Sequence, residues 1–324
     1  VILKTHWAPT DSDEFWLNFH YYDGRADMPG GLTQAQFDSD PYQSVRDYDY
    51  FAGRRKDVSF KWQRQIDDAT QFEVLTYYTD SFRGSAIASR DQKTLSSYPR
   101  NYHTFAIEPR VSRIFFAGPT TQEVSVGYRY LKEAMREQST RLELIDNVPT
   151  PTPTSDGHVF QDRSGGTEAS AYYIDDKIDV GNWTITPGIR FEHINTDWRD
   201  RPVLGANGKP VPEKNRSITS NEPLPALSVM YHLSDAWKVF ANYETSFGSL
   251  QYFQLGQGGT GNSTANGLEP EKAKTYEIGT RYDNGNFAGE LTAFYIDFDD
   301  ELQYISNDVG WTNLGATKHQ GIEA

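Results

Sequence analysis

Apolar and polar residues alternate with a period of two along much of this chain, and this pattern constrains the fold most. Residues 58–62, 124–130 and 183–191 are clear examples. Successive side chains of a β-strand point to opposite faces, so each segment presents one apolar and one polar face. About thirteen such segments, with one short helix near residues 32–37, predict an all-β protein.

The connections between these segments alternate between short and long. Short turns are predicted at 66–70, 117–120, 180–182, 233–236 and 283–286, and long polar loops at 23–49, 84–101, 136–165, 196–221 and 248–269. In an antiparallel meander this alternation places every tight turn at one end and every long loop at the other. Long loops without secondary structure are unusual in a compact soluble domain, so they require an explanation.

An antiparallel up-and-down transmembrane β-barrel explains both patterns, because such barrels combine short turns, long outer loops and strands that alternate apolar-out and polar-in. No stretch approaches the roughly 20 consecutive apolar residues of a membrane-spanning helix. Aromatic residues near strand ends would form the interfacial girdles. The candidates are Trp62, Tyr78, Trp183, Phe191, Trp237 and Tyr243.

A soluble β-sandwich or β-barrel is the alternative, since it is also built from alternating strands. An acidic chain rich in Tyr and Trp would then suit the binding or cleavage of polysaccharides. The acidic pairs at 67–68 and 175–176 could serve glycoside hydrolysis, although a tight turn or a polar barrel interior also accounts for them. Fractionation with outer membranes and a need for detergent would separate the two possibilities.

The composition excludes several classes of protein. None of the 324 residues is cysteine, which rules out disulfide scaffolds, thiolate metal sites and cysteine nucleophiles. The 45 Asp and Glu residues outnumber the 31 Lys and Arg residues, and a net charge of −14 argues against a nucleic-acid partner. The seven His residues show no ligand spacing, so no metal site is predicted.

Four arginines stand out because the chain is otherwise acidic. Arg83, Arg90 and Arg100 bracket or occupy one long loop, and Arg163 lies near the end of another. The guanidinium group offers a rigid fork that matches the geometry of a carboxylate. Two interpretations stay open: arginines that balance nearby acidic side chains, or a site for an anion or polycarboxylate at the loop end of the barrel.

Several strings resemble the TonB-dependent outer-membrane receptors. Residues 268–279 resemble the LxPExxxxxEhG signature that begins a late barrel strand in that family, and residues 318–323 resemble the GhE strand start that follows. Residues 171–192 resemble the family's mid-barrel hairpin. The ferric citrate branch of the family is indicated by four further segments, residues 21–32, 98–102, 107–110 and 181–188.

The resemblance implies a barrel of about 22 strands in the bacterial outer membrane, of which residues 1–324 would form a single segment. It implies no enzymatic activity but active uptake of a ferric carboxylate complex, most specifically ferric citrate, whose iron arrives already chelated, so that no cofactor is needed. The ligand-binding residues carried over are Arg83, Arg100, Arg163 and Gln303. The resemblance also implies outer-membrane lipid and lipopolysaccharide around the barrel.

Other parts of the family pattern are missing from the sequence. An N-terminal plug, through whose region the TonB complex would act, and the C-terminal strands are not found. An incomplete barrel leaves two strand edges unpaired, which lipid does not tolerate. We therefore expect a piece of a longer receptor that cannot transport by itself.

Overall fold

The computed structural model describes residues 1–152, 156–205, 208–256, 268–306 and 309–324. Its strands are β1 (Ile2–Trp7), β2 (Asp13–Asp27), β3 (Tyr50–Asp67), β4 (Thr70–Ala88), β5 (Thr94–Ser97), β6 (Arg100–Ala117), β7 (Thr120–Ile145), β8 (Val148–Thr150), β9 (Asp156–Val180), β10 (Trp183–Asp200), β11 (Val203–Leu204), β12 (Pro210–Val211), β13 (Lys214–His232), β14 (Trp237–Gly248), β15 (Glu271–Asp283), β16 (Ala288–Asp299), β17 (Leu302–Ser306), β18 (Gly310–Asn313) and β19 (Thr317–Glu323). Two short helices, α1 (Gln34–Ser39) and α2 (Tyr252–Gly256), lie between strands. These are the helices found in the described ranges, and neither is long and apolar enough to cross a membrane.

One sheet dominates the structure and confirms the predicted architecture. It contains 15 strands, two of which, β5 and β8, are short strands paired beyond the main hairpins. The other thirteen follow chain order as an antiparallel meander, with β1 and β19 at its two edges. The strand pairs β11–β12 and β17–β18 form separate small sheets in the long connections.

The tight turns that join consecutive strands of the thirteen-strand meander lie at one end, as predicted. The five predicted turns each join two paired strands, and a sixth joins β1 to β2. Gly118 and Gly181 adopt φ of 62° and 57° in two of the turns, a backbone region that favours glycine. These turns fix the register of each hairpin, because a shift of one residue would move every side chain to the other face.

The prediction of long loops was wrong in part. Much of the predicted loops 136–165 and 196–221 is strand, since β7, β9, β10 and β13 continue well into them. Beyond the membrane the outer face of a strand meets water, so polar residues such as Arg136 and Gln138 replace apolar ones. The period-two pattern therefore disappears from the sequence while the backbone ladder continues. The predicted loop 248–269 lies partly outside the described residues.

The short helix occurs where it is predicted, shifted by two residues. Helix α1 begins after Thr33, whose hydroxyl accepts a hydrogen bond from the Gln36 backbone amide. The Gln36 side chain in turn accepts a hydrogen bond from the Thr33 backbone amide at 2.9 Å, which completes a capping box. This reciprocal cap satisfies two backbone donors and explains why so short a helix forms.

Aromatic rings form two bands on the outer face of the sheet. Trp183 and Trp237 lie close to the tight turns, and Tyr78 and Phe191 lie farther along their strands. All four are 43–50% exposed, although they are large aromatic side chains. Trp183 and Phe191 stand eight residues apart on β10, which spans about 20 Å of a bilayer at the usual strand tilt. The bands therefore have the spacing of interfacial girdles.

A cluster of buried apolar side chains lies on the opposite face of the sheet, near the long connections. We call this opposite face the inner face. The cluster is formed by Met135, Trp198, Leu250, Leu255 and Leu268, none more than 6% exposed. The α2 segment, residues 249–256, thus folds back onto β7, β9, β10 and β13 and covers part of the inner face.

Candidate anion-binding site

Five charged residues form one cross-strand row on the inner face, at the end with the long connections. Arg83 on β4 is the register partner of Arg100 on β6, and Arg100 is the partner of Glu137 on β7. Glu137 is next to Arg163 on β9, and Arg163 is next to Asp200 on β10. This charge row brings together the three predicted arginines from distant parts of the sequence.

Arg100 is fixed by a buried carboxylate. Its Nε donates a hydrogen bond to Glu137 Oε2 at 3.1 Å, and Glu137 is only 2% exposed. Burial disfavours the charged form of Arg100, but the Glu137 carboxylate and the Tyr102 hydroxyl together outweigh this effect and raise the pKa of the guanidinium. Arg100 is therefore a permanent cation whose Nε faces Glu137.

Arg163 is held by a second carboxylate and an aromatic ring. Its Nε donates to Asp200 Oδ1 at 2.9 Å, while Trp198 Nε1 donates to Asp200 Oδ2 at 3.1 Å. The Arg163 guanidinium carbon lies 5.7 Å from the centre of the Trp198 ring, within the range of a cation–π interaction. These contacts orient Arg163 toward the centre of the inner face.

Arg83 differs from the other two arginines because it is exposed and has no carboxylate within 4 Å in the described part of the chain. Its guanidinium carbon lies 5.2 Å from the centre of the Phe51 ring. All three arginines line one cavity of about 340 Å³, which suits a small organic anion. Arg83 is thus the cation most available to a ligand in this cavity.

The α2 segment supplies the opposite wall of the cavity, which the sequence did not predict. Gln251, Tyr252 and Phe253 line it. Burial raises the pKa of the Tyr252 phenol well above its usual value, so the hydroxyl stays protonated and can donate a hydrogen bond. The run from Leu250 to Leu255 contains four large apolar or aromatic residues, which is unusual for a loop and is the signal that could have identified this wall.

The fourth predicted ligand residue lies apart from the arginines. Gln303 is exposed on β17, beside Leu302, which packs against the apolar cluster. Gln303 is not among the described residues that line the cavity. Its role in binding stays a prediction.

The outer face of the sheet carries two aromatic bands, and the sheet has tight turns at one end and a cavity with three guanidiniums at the other. Together these features define a β-barrel receptor of the outer membrane. The family model "TonB dependent receptor-like, beta-barrel" matches residues 6–324. The chain belongs to this family, which places it in the bacterial outer membrane. The family consists of transport receptors and not of enzymes.

Solved receptor structures share the fold over nearly the whole chain. The crystal structure of the ferric citrate transporter FecA in its unliganded form is 41% identical, with a TM-score of 0.82, and the match covers 99% of this chain and 46% of that one. The ferric yersiniabactin uptake receptor FyuA from Yersinia pestis is 16% identical, with a TM-score of 0.70 over 99% of this chain and 47% of that one, and shows the fold alone.

A curated relative is more distant. The catecholate siderophore receptor Fiu of Escherichia coli strain K12 is 23% identical over 240 residues, which are 67% of this chain and 32% of that receptor. The chain therefore spans about half the length of the solved receptors and about a third of this relative.

Proposed function

We propose that this chain forms the ligand-binding part of an outer-membrane receptor for a ferric carboxylate complex, ferric citrate or a related iron–carboxylate siderophore. The proposal rests on Arg83 and Arg100, two like charges in direct register with a single buried carboxylate beside them. Uptake would be energised by the TonB complex acting through a region outside this chain. The iron arrives chelated by its ligand, so the chain supplies neither cofactor nor catalytic residues.

The register of Arg83 and Arg100 favours an anionic ligand on electrostatic grounds. Like charges directly opposite each other on neighbouring strands destabilise a sheet. Directly opposite residues have Cα atoms roughly 4.5–5.5 Å apart, so one ligand can bridge both guanidinium forks. A carboxylate bound by such forks forms charge-assisted, partly bidentate hydrogen bonds, which are stronger than neutral ones. A bound polycarboxylate thus relieves a repulsion that is built into the row.

The choice of ferric citrate among iron complexes is supported by the similarity to FecA, whose structure is that of a ferric citrate transporter. The catecholate and yersiniabactin receptors are far less similar in sequence. Guanidinium groups match the carboxylates of a citrate complex directly. The outer bands of rings would contact outer-membrane lipid and lipopolysaccharide.

A soluble polysaccharide-binding or polysaccharide-cleaving protein, the alternative from the sequence, is not retained. Membership of the receptor family and the large apolar side chains on the outer face both contradict it. Exposed rings such as Trp183 and Trp237 are explained by contact with lipid.

The test is the double variant Arg83→Ala/Arg100→Ala in the full-length receptor. Binding of iron(III) citrate, followed by quenching of intrinsic tryptophan fluorescence, should be lost, since both guanidiniums of the register pair are removed. Arg54→Ala is the matched control, because Arg54 is near in sequence, contacts Phe82 rather than the cavity, and is equally charged. Unchanged affinity in the double variant, or equal loss in the control, would refute the assignment.

A further inference from the structure

Glu137 occupies the middle of the charge row, between Arg100 and Arg163. It is 2% exposed, and both its carboxyl oxygens accept hydrogen bonds, one from Arg100 and the other from Ser139 Oγ at 2.9 Å. Removing a carboxylate from water is costly unless it is paired and hydrogen-bonded. The structure thus keeps a resident negative charge in the wall of a cavity otherwise suited to anions.

This resident carboxylate changes the charge that a ligand meets. Three guanidiniums face two carboxylates along the row, because Asp200 is also present beside Arg163. One positive charge therefore remains in excess within the row. Lys214 on β13 is the register partner of Asp200. It is not among the described residues that line the cavity.

We propose that Glu137 is a specificity-determining residue that limits the negative charge of the ligand accepted by the cavity. This inference rests on the proposed function, since it concerns the same site. Glu137 already binds the Arg100 guanidinium through its Nε. A ligand that binds the same guanidinium therefore comes close to the Glu137 carboxylate. Each additional negative charge on the ligand is repelled by Glu137, and the repulsion is strong because the carboxylate is buried and poorly screened by solvent.

A purely structural role for Glu137 makes a different prediction. If the residue only holds Arg100 in place, its loss weakens all anionic ligands by a similar factor. If it sets the charge preference, its loss changes the ratio of affinities between two ligands of similar shape and different charge. The ratio is therefore the decisive measurement, and the absolute affinity is not.

The experiment uses the full-length receptor with iron(III) complexes of citrate and of citrate monoamide, which differ in charge and little in shape. Glu137→Gln removes the charge and preserves the size of the side chain. The affinity ratio of the citrate complex over the monoamide complex should rise about thirtyfold, as expected for one charge acting over about 8 Å at an effective dielectric of about 20. Glu137→Asp, which retains the charge, should keep the wild-type ratio.

Glu123→Gln is the matched control. Glu123 lies on the same strand and the same face, about 46 Å from Glu137, and has no ion-pair partner among the described residues. Its loss should leave the ratio unchanged. An unchanged ratio in a Glu137→Gln receptor that still binds iron(III) citrate would overturn this inference alone. Failure of the wild-type receptor to bind iron(III) citrate would overturn the proposed function, and this inference with it.

Discussion

Substitution of Leu255 by alanine should detach the α2 segment, residues 249–256, from the inner face while the barrel strands stay intact. Leu255 is 2% exposed and packs in the apolar cluster with Leu250 and Trp198. Removing a buried leucine side chain costs about 2–5 kcal/mol, because the truncation leaves a cavity. A loss of about 3 kcal/mol corresponds to a roughly hundredfold larger opening constant for the segment.

The loss should stay local because the strands are held by their own ladders. Strands β10 and β13, against which α2 packs, are paired over 18 register positions that do not involve α2. Their backbone hydrogen bonds persist when the segment opens. The expected result is therefore a fall in protection confined to residues 249–256.

Amide hydrogen exchange of the full-length receptor in detergent measures this directly. Protection in the α2 segment should fall about a hundredfold in Leu255→Ala. Ile278→Ala is the control, since Ile278 is 66% exposed on the outer face and does not contact α2. Protection of the segment within about threefold of the wild type would refute the packing argument, as would an equal loss of protection in β10 and β13.

Two further predictions concern the residues around the site. The Arg136 guanidinium hydrogen-bonds to Asp162 outside the membrane and holds the pKa of that carboxyl at about 2. The ionised Asp162 therefore contributes its full stabilisation above pH ~4, and this stabilisation is lost as the pH falls through about 2. Exchange protection of the β7–β9 hairpin should fall over this window in the wild type, whereas Asp162→Asn should already be less protected at pH 7 and should not change across it. In Gly165→Ala the new methyl group would lie 2.9 Å from Tyr252, so the ring must leave the cavity wall and affinity for iron(III) citrate should fall about tenfold. Gly31→Ala, which has nothing within 4 Å, should bind as the wild type; equal affinity in both variants would show that Tyr252 is not part of the wall.

The arginine site illustrates how far sequence reasoning reached. The sequence suggested Arg83, Arg100 and Arg163 through residue type, position near long loops and family resemblance, and the structure brings all three to one cavity. It did not suggest Glu137 or Tyr252. Glu137 lies in the predicted loop 136–165, because the apolar pattern ends where the strand leaves the membrane, although β7 continues.

The sequence by itself determined the all-β fold, the number of strands in the main meander and the two ends of the barrel. These properties depend on local quantities, since period-two alternation and turn residues act over a few positions. Only the tertiary structure decided the charge row and the α2 wall. Cross-strand neighbours such as Arg100 and Glu137 are far apart in the chain, and their contact follows from the register accumulated over successive hairpins. The α2 segment likewise becomes a wall only when Leu250 and Leu255 find the inner face of β7 and β10 to bury against.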